Sequence, residues 1–225
     1  MLKPSLYSFI FLLFTMPQFS NAQNFEGQID YEITLSGGEA ATLRSSIPEL
    51  LTIKIKDNRL RFIQEGGTSP LQGDMIIDGK YKKLFLLRDR QQMALHLDPL
   101  AVGTRKAENT FEIELLDEEK EILGYLCQKY LITITSTGGK SIQYAWATRE
   151  LPFDAPPFYE EAVGNHEFYT YGVEGTILKV VTETRYGVEI TTKAVKVNKK
   201  SIGDETFEIP KEYTQEDFSF DILGN

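Results

Sequence analysis

Apolar and polar side chains alternate along residues 25–36, where Ile29, Tyr31, Ile33 and Leu35 are separated by polar residues. A period of two predicts a β-strand with one dry face and one wet face. At about 3.3 Å per residue this strand would extend for roughly 40 Å, well beyond the usual length of about 5–6 residues. A strand of that length indicates a large, curved antiparallel sheet.

The alternation returns along most of the chain, with turn residues between the segments. Residues 51–64 are predicted to form a hairpin around Asp57-Asn58, and residues 121–149 a second one around Gly138-Gly139. Asp78-Gly79 is the strongest turn signal, because glycine tolerates the positive φ of a tight hairpin turn.

Four other segments give weaker predictions. We expect an acidic turn at residues 117–120, a short helix capped by Ser46, a last strand at residues 207–210 and a helical or frayed tail from Thr214.

The predicted fold class is therefore all-β or β-dominant. It is a single large curved antiparallel sheet, or half-barrel, of about ten strands with a few short helices. We expect one β-rich domain over residues 23–225. The proline-rich residues 152–157 are interpreted as a connection between two parts of the sheet.

The N-terminus has the pattern of a secretory signal. Lys3 precedes an uncharged apolar stretch at residues 6–16, Pro17 ends it, and small residues lead to predicted cleavage between Ala22 and Gln23. The alternative is a membrane anchor, but the stretch is shorter than the roughly 20 residues that span a bilayer. We therefore expect a periplasmic or secreted protein that does not span the membrane.

Charge and cysteine content narrow the functional classes. The formal net charge of −9 disfavours nucleic acid and anionic membrane surfaces as partners. Cys127 is the single cysteine, so no internal disulfide can form. We interpret it as a small buried hydrophobic residue, with pairing between chains or a reactive thiol as the alternatives.

No catalytic motif is apparent in the sequence. His96 lies between Leu95 and Leu97 and is interpreted as a solvated strand residue, and His166 lies in a loop. The acidic residues 117–121 lack the spacing and the glycine of a calcium loop. We predict no enzyme activity, no cofactor and no metal.

Aromatic residues are the most informative candidates. They cluster late in the chain. They have two interpretations: ordinary core packing, or the lining of an apolar cleft under a proline-rich flap. The candidate groove residues are Tyr144, Trp146, Phe153, Phe158 and Tyr159, with Phe168, Tyr169 and Tyr171 close behind.

Four short motifs carry a family resemblance. They are Phe25-x-Gly27-x-Ile29-x-Tyr31, Ile122-x-Gly124-Tyr125-x-Cys127-x-Lys129-Tyr130, Trp146-Ala-Thr-Arg-Glu-Leu151 and Phe207-x-Ile209-Pro210-x-x-Tyr213. The chain resembles uncharacterised secreted proteins of Gram-negative bacteria that form a domain-of-unknown-function family. That family is distantly similar to periplasmic lipoprotein carriers and receptors of the Lol type. The resemblance implies a curved sheet around an apolar concavity that binds acyl chains or lipoprotein segments.

Two functions remain as predictions. The first is an exported binding protein with an apolar concave groove for a lipid, an acyl chain or a hydrophobic peptide. The alternative is a structural or protein-interaction module of the envelope that has no small-molecule ligand and pairs with a partner through an exposed edge strand.

Overall fold

The computed structural model describes residues 24–38, 40–68, 73–97, 110–136, 139–153, 172–184 and 187–218. Within these ranges there is one short α-helix, Ala40–Leu43 (α1), and there are two 3-10 turns, Asp89–Gln91 and Asp204–Phe207. The strands are Gly27–Gly37 (β1), Leu50–Lys56 (β2), Arg59–Glu65 (β3), Asp74–Asp78 (β4), Lys83–Arg88 (β5), Met93–Leu97 (β6), Thr110–Ile122 (β7), Tyr125–Ser136 (β8), Gly139–Thr148 (β9), Thr176–Glu183 (β10), Val188–Lys199 (β11) and Thr214–Asp217 (β12).

All twelve strands belong to one open sheet in the order β12-β6-β5-β4-β3-β2-β1-β11-β10-β9-β8-β7. Most neighbours in the sheet are also neighbours in sequence, as successive hairpins require. Among the described strands the pairing is antiparallel except between β12 and β6, which run parallel. The predicted β-dominant fold is confirmed, with twelve strands where about ten were expected.

The first strand has the predicted two-sided character. Ile29, Tyr31 and Ile33 are buried along β1, while the residues between them are partly or fully exposed. β1 pairs with β2 on one side and with β11 on the other, so this long strand lies inside the sheet.

One surface of the sheet, the apolar face, continues from β1 to β6. Residues opposite one another on neighbouring strands share a face, and here they are apolar throughout. The row reads Ile29, Ile53, Phe62, Met75, Leu86 and Leu95. Beyond β11 the register continues through Val180, Ala145 and Tyr130, which form a separate apolar cluster, whereas Trp146 and Val181 on these strands join the large cluster of Ile29 and Phe62.

The other face of β4 to β6 is covered by the chain that follows β11. Ile202 and Phe207 are buried there against a small apolar cluster that includes Ile76, Phe85 and Leu87. The chain then turns and adds β12 beside β6. This C-terminal segment therefore closes the second face at one end of the sheet.

The turn predicted at residues 117–120 is wrong. These residues belong to β7, which contains a bulge between Leu115 and Glu119, and the reversal falls at Leu123-Gly124. Both turn residues have positive φ, 56° and 83°, which suits a two-residue hairpin loop. The bulge absorbs the acidic residues without ending the strand.

The two C-terminal predictions are also wrong. Residues 207–210 do not form a strand, since Phe207 ends a 3-10 turn and Pro210 has no N–H to donate to a ladder. The tail from Thr214 is β12, because the Thr214 N–H donates to the Gln92 carbonyl and begins the pairing with β6.

The predicted helix at Ser46 is displaced. Helix α1 precedes this residue, and the Ser46 N–H donates to the Leu43 carbonyl at the end of the helical turn. Ser46 thus follows the helix instead of capping its start.

The predicted cleavage site at Ala22 and Gln23 lies outside the described residues. Of the helices described, none has the length and hydrophobicity needed to cross a bilayer.

Candidate functional site

A row of basic and aromatic side chains crosses the four adjacent strands β8 to β11. Lys129 on β8 is opposite Trp146 on β9, Trp146 is opposite Lys179 on β10, and Lys179 is opposite Lys193 on β11. Because directly paired residues share a face, these four side chains form one line, here called the lysine row.

Trp146 is the centre of the lysine row. The ammonium of Lys179 lies 4.6 Å from the indole ring centre and that of Lys129 lies 5.1 Å from it, both within cation–π range. Trp146 is 7% exposed, and its Nε1 has no hydrogen-bond partner in the part of the chain described. A buried indole N–H without an acceptor is uncommon in folded proteins.

A cleft of about 310 Å³ opens beside the lysine row, and it reaches the row at Lys179 and Lys193. The end of β7 forms one wall and the middle of β11 forms the other. The lining residues are Lys120, Glu121, Ile122, Leu123, Lys179, Lys193, Ala194 and Val195.

Two irregularities of the sheet shape this cleft. The register of β1 with β11 shifts between Asp30 and Tyr31, which leaves Val195 as an extra residue in β11. The Leu123-Gly124 turn ends β7, and Leu123 lines the cleft together with Val195. Leu123 is 45% exposed and Val195 is 42% exposed, so each side of the cleft carries an apolar residue that nothing in the described chain covers; these two residues are together called the apolar wall.

Positive charge accumulates along the lining of the cleft. Burial, followed by the charges of Lys120 and Lys193, lowers the pKa of Lys179 below its usual range. Lys129 donates to Glu118 at 2.7 Å, but neither Lys179 nor Lys193 forms an ion pair with another described residue. The arrangement can stabilise a negative charge by electrostatics and hydrogen bonds.

The structure brings three of the five predicted groove residues together. Tyr144 and Trp146 lie two positions apart on the same face of β9, and Lys129 is within cation–π range of both rings. Phe153 is half-buried, and like Tyr144 it packs against the large apolar cluster that contains Trp146. Phe158 and Tyr159 lie outside the described residues, as do Phe168, Tyr169 and Tyr171.

Lys179 of β10 and Lys193 of β11 were not predicted from the sequence. A signal was present, because Lys179 interrupts an otherwise apolar run, Ile177-Leu-Lys-Val-Val181. The approach of β7 to β11 has no comparable signal, since it depends on the bulge and on the curvature of the sheet.

Cys127 and His96 have structural contacts. Cys127 is buried, and burial raises the pKa of its thiol to about 11, as expected for an unreactive core residue. His96 is partly exposed and lies 3.1 Å from Asp217 on β12. His166 lies outside the described residues, within which no cluster of three metal-ligating side chains occurs.

A larger cleft, about 710 Å³, lies at the far end of β3 to β5. Glycines and charged side chains, among them Asp74, Arg88 and Arg90, form much of its lining. It therefore lacks an apolar wall like that of the cleft beside the lysine row.

The chain belongs to the family described as Domain of unknown function (DUF4412), whose model matches residues 25–213. This confirms the predicted membership of a family of unknown function. No curated protein matches the chain.

Solved structures give distant likenesses. PNGF-II matches with a TM-score of 0.47 and 17% identity over 85% of this chain, which spans 31% of PNGF-II. The Mycobacterium tuberculosis lipoprotein LppX has a TM-score of 0.38 and 11% identity, covering 80% of this chain and 90% of its own. A LolA superfamily protein from Nitrosomonas europaea has a TM-score of 0.37 and 11% identity, covering 82% and 90%. The predicted distant likeness to Lol-type proteins is found, at TM-scores that establish no shared ligand or role.

Proposed function

We propose that this protein is an exported binding protein of the bacterial envelope that holds the apolar part of a lipid, an acyl chain or a hydrophobic peptide. The ligand lies in the cleft between the end of β7 and the middle of β11. The observation that carries the proposal is the apolar wall formed by Leu123 and Val195, which is exposed in the described chain although Ile122 and Ala194 beside it are buried.

Energetics support an apolar occupant. Burial of each methylene group contributes about 0.8 kcal/mol, so a chain of several carbons offsets the cost of its own ordering. The cleft volume of about 310 Å³ lies at the lower end of the range for ligand sites, roughly 300–1,000 Å³. It therefore suits one acyl segment better than a whole two-chain lipid.

The proposal makes the protein a carrier or a receptor and not an enzyme. Its location in the periplasm or outside the cell is supported by the N-terminal signal pattern.

The alternative, an interaction module that adds a partner strand, is less well supported. The edge strand β7 carries Glu112, Glu114, Glu119 and Glu121, and charge along an edge discourages pairing with another strand. We therefore prefer the ligand-binding function.

Fluorescence tests the proposal, because Trp146 is the only tryptophan. Decanol should change its emission saturably. Val195→Asn should weaken decanol binding at least about 5-fold, because it places an amide on the apolar wall. Leu50→Asn is the matched control, since Leu50 is 43% exposed but does not line the cleft. Equal decanol affinity in the two variants would contradict the proposed site.

Lipid carriage can be tested separately. Protein purified from the envelope fraction of an expressing bacterium should carry a co-purifying lipid or acyl chain that native mass spectrometry detects. A single unliganded mass, together with no response to decanol, would refute the proposed function.

A further inference from the structure

We infer that the lysine row binds the acidic headgroup, a carboxylate or a phosphate, of a single-chain amphiphile whose apolar chain occupies the adjoining cleft. This inference rests on the proposed function and specifies its ligand. The cleft provides both chemistries within one lining, which contains lysines and the two residues of the apolar wall.

Like charges face each other across β10 and β11. Lys179 and Lys193 stand directly opposite each other on β10 and β11, a pairing that destabilises a sheet when nothing compensates it. Lys120 adds a third positive charge from the end of β7. A sequence that violates a local rule without compensation often does so at a functional site.

Nearby carboxylates do not remove this charge. Glu118 is engaged by Lys129 at 2.7 Å. Glu121 lines the cleft, Glu32 is opposite Lys193 in register, and Glu189 acts on Lys179 from a distance, but none of these three carboxylates forms an ion pair with Lys179 or Lys193. A ligand that carries its own negative charge would provide the missing compensation.

Trp146 lies in the same row as these lysines. Its buried Nε1–H lacks an acceptor among the described residues, and leaving such a donor unpaired costs about 1–3 kcal/mol. The indole N–H can only donate, so its missing partner must be an acceptor. Trp146 does not itself line the cleft, and Lys179, which lies over its ring, connects it to the cleft.

The apolar wall borders the same lysines. Leu123 and Val195 line the same cleft as Lys179 and Lys193, so a molecule that fills it meets both positive charge and hydrocarbon. A free inorganic anion would leave the wall uncovered, and a cationic amphiphile would be repelled by the lysines. An anionic amphiphile satisfies both parts of the cleft.

Trp146 emission distinguishes these ligands in one titration series. We would titrate the full chain with decanoate, decanol, decyltrimethylammonium and inorganic phosphate at pH 8. Decanoate should bind at least about 10-fold more tightly than decanol, and decyltrimethylammonium should bind more weakly than decanol. Equal affinity for decanoate and decanol would overturn the headgroup site while leaving the proposed function intact. No response to either would refute the proposed function itself.

Inorganic phosphate separates a lipid headgroup from a free anion. It should bind at least about 10-fold more weakly than decanoate, because it covers no apolar wall. Equal binding of phosphate and decanoate would overturn the inferred amphiphile.

Three variants assign the effect to the lysine row. Lys179→Met keeps an apolar stem without the charge and should reduce the preference for decanoate over decanol to near one, whereas Lys179→Arg should retain it. Lys196→Met is the matched control, since Lys196 is an exposed lysine of β11 that does not line the cleft. Loss of the preference in Lys196→Met, or its retention in Lys179→Met, would overturn the assignment. The titrations of the unmodified protein decide the inference even if a variant fails to fold.

Discussion

Two groups of basic side chains occupy different parts of the same sheet, and they differ in what they contact. On β2 and β3, Lys56, Arg59 and Arg61 all hold carboxylates or carbonyls of the protein itself. In the lysine row, Lys179 and Lys193 form no ion pair with any described residue. Basic side chains in the same sheet therefore have two roles. The two groups differ in whether each side chain has a partner within the protein.

The first group fastens the C-terminal clasp, which we define as residues 202–207. Lys56 Nζ donates to Asp204 at 2.7 Å and to the Ile202 carbonyl at 2.8 Å, and Arg59 reaches the same carboxylate at 2.7 Å. Arg61 donates to Asp74 at 2.6 Å and to the Thr206 carbonyl at 3.0 Å. These contacts position Ile202 and Phe207 over their apolar cluster.

The largest expected effect is on the clasp. Phe207→Ala removes a ring that is 7% exposed and should lower the free energy of unfolding by about 3 kcal/mol in urea titrations. Tyr81→Ala, at a residue 63% exposed, is the control and should change it by less than about 0.5 kcal/mol. Similar losses in the two variants would mean that the clasp adds little to stability.

Arg61→Met should destabilise the protein by about 2 kcal/mol, because it leaves the largely buried Asp74 carboxylate without its partner. The pKa of Asp74 is already raised by burial, which Arg61 opposes. Urea denaturation measures the loss, and Arg44→Met, at an exposed ion pair, should change stability little. Wild-type stability in Arg61→Met would remove the distinction between the two groups.

Lys193→Met should stabilise the protein in the same urea assay, whereas Arg61→Met should destabilise it. Removing one member of the Lys179–Lys193 pair relieves repulsion across the strands and should raise the free energy of unfolding by about 0.5 kcal/mol. A loss of 1 kcal/mol or more would show that Lys193 has a structural role like that of Arg61.

The smallest expected effect is the pH dependence of stability that Asp204 gives the C-terminal clasp. Hydrogen bonds from Lys56 and Arg59 lower the pKa of Asp204 from 3.8 to about 2. A depressed carboxyl pKa stabilises the folded state above about pH 4, and that stabilisation is lost as pH falls through about 2. Urea midpoints of the wild type and Asp204→Asn should differ above pH 4 and converge near pH 2. If the difference in urea midpoint between the wild type and Asp204→Asn stayed constant across this range, the ion pairs of Asp204 would not be its cause.

Alternation along the chain predicted the sheet well, because burial of one face imposes a period of two on each strand. Ile29 and Phe62 lie on the apolar face for that reason. The bulge in β7 was not predictable from the same pattern, since the acidic residues at 117–119 read equally well as a turn.

The candidate site was predicted only in part. Tyr144 and Trp146 were named as groove candidates because aromatic residues stand out in a sequence; they lie in or beside the lysine row, but neither lines the cleft. Lys193 was missed, since its importance comes from the residue opposite it on β10, and cross-strand register is set by bulges and turns elsewhere.

The central claim is that Lys179 carries a charge that the protein leaves for a ligand to balance, and NMR titration of its ammonium tests this most directly. In the free protein the pKa of Lys179 should lie below its usual range, because burial and the neighbouring Lys120 and Lys193 disfavour the charged form. With decanoate bound the pKa should rise, since a carboxylate beside the ammonium favours that form. A pKa that is the same with and without saturating decanoate would contradict the account.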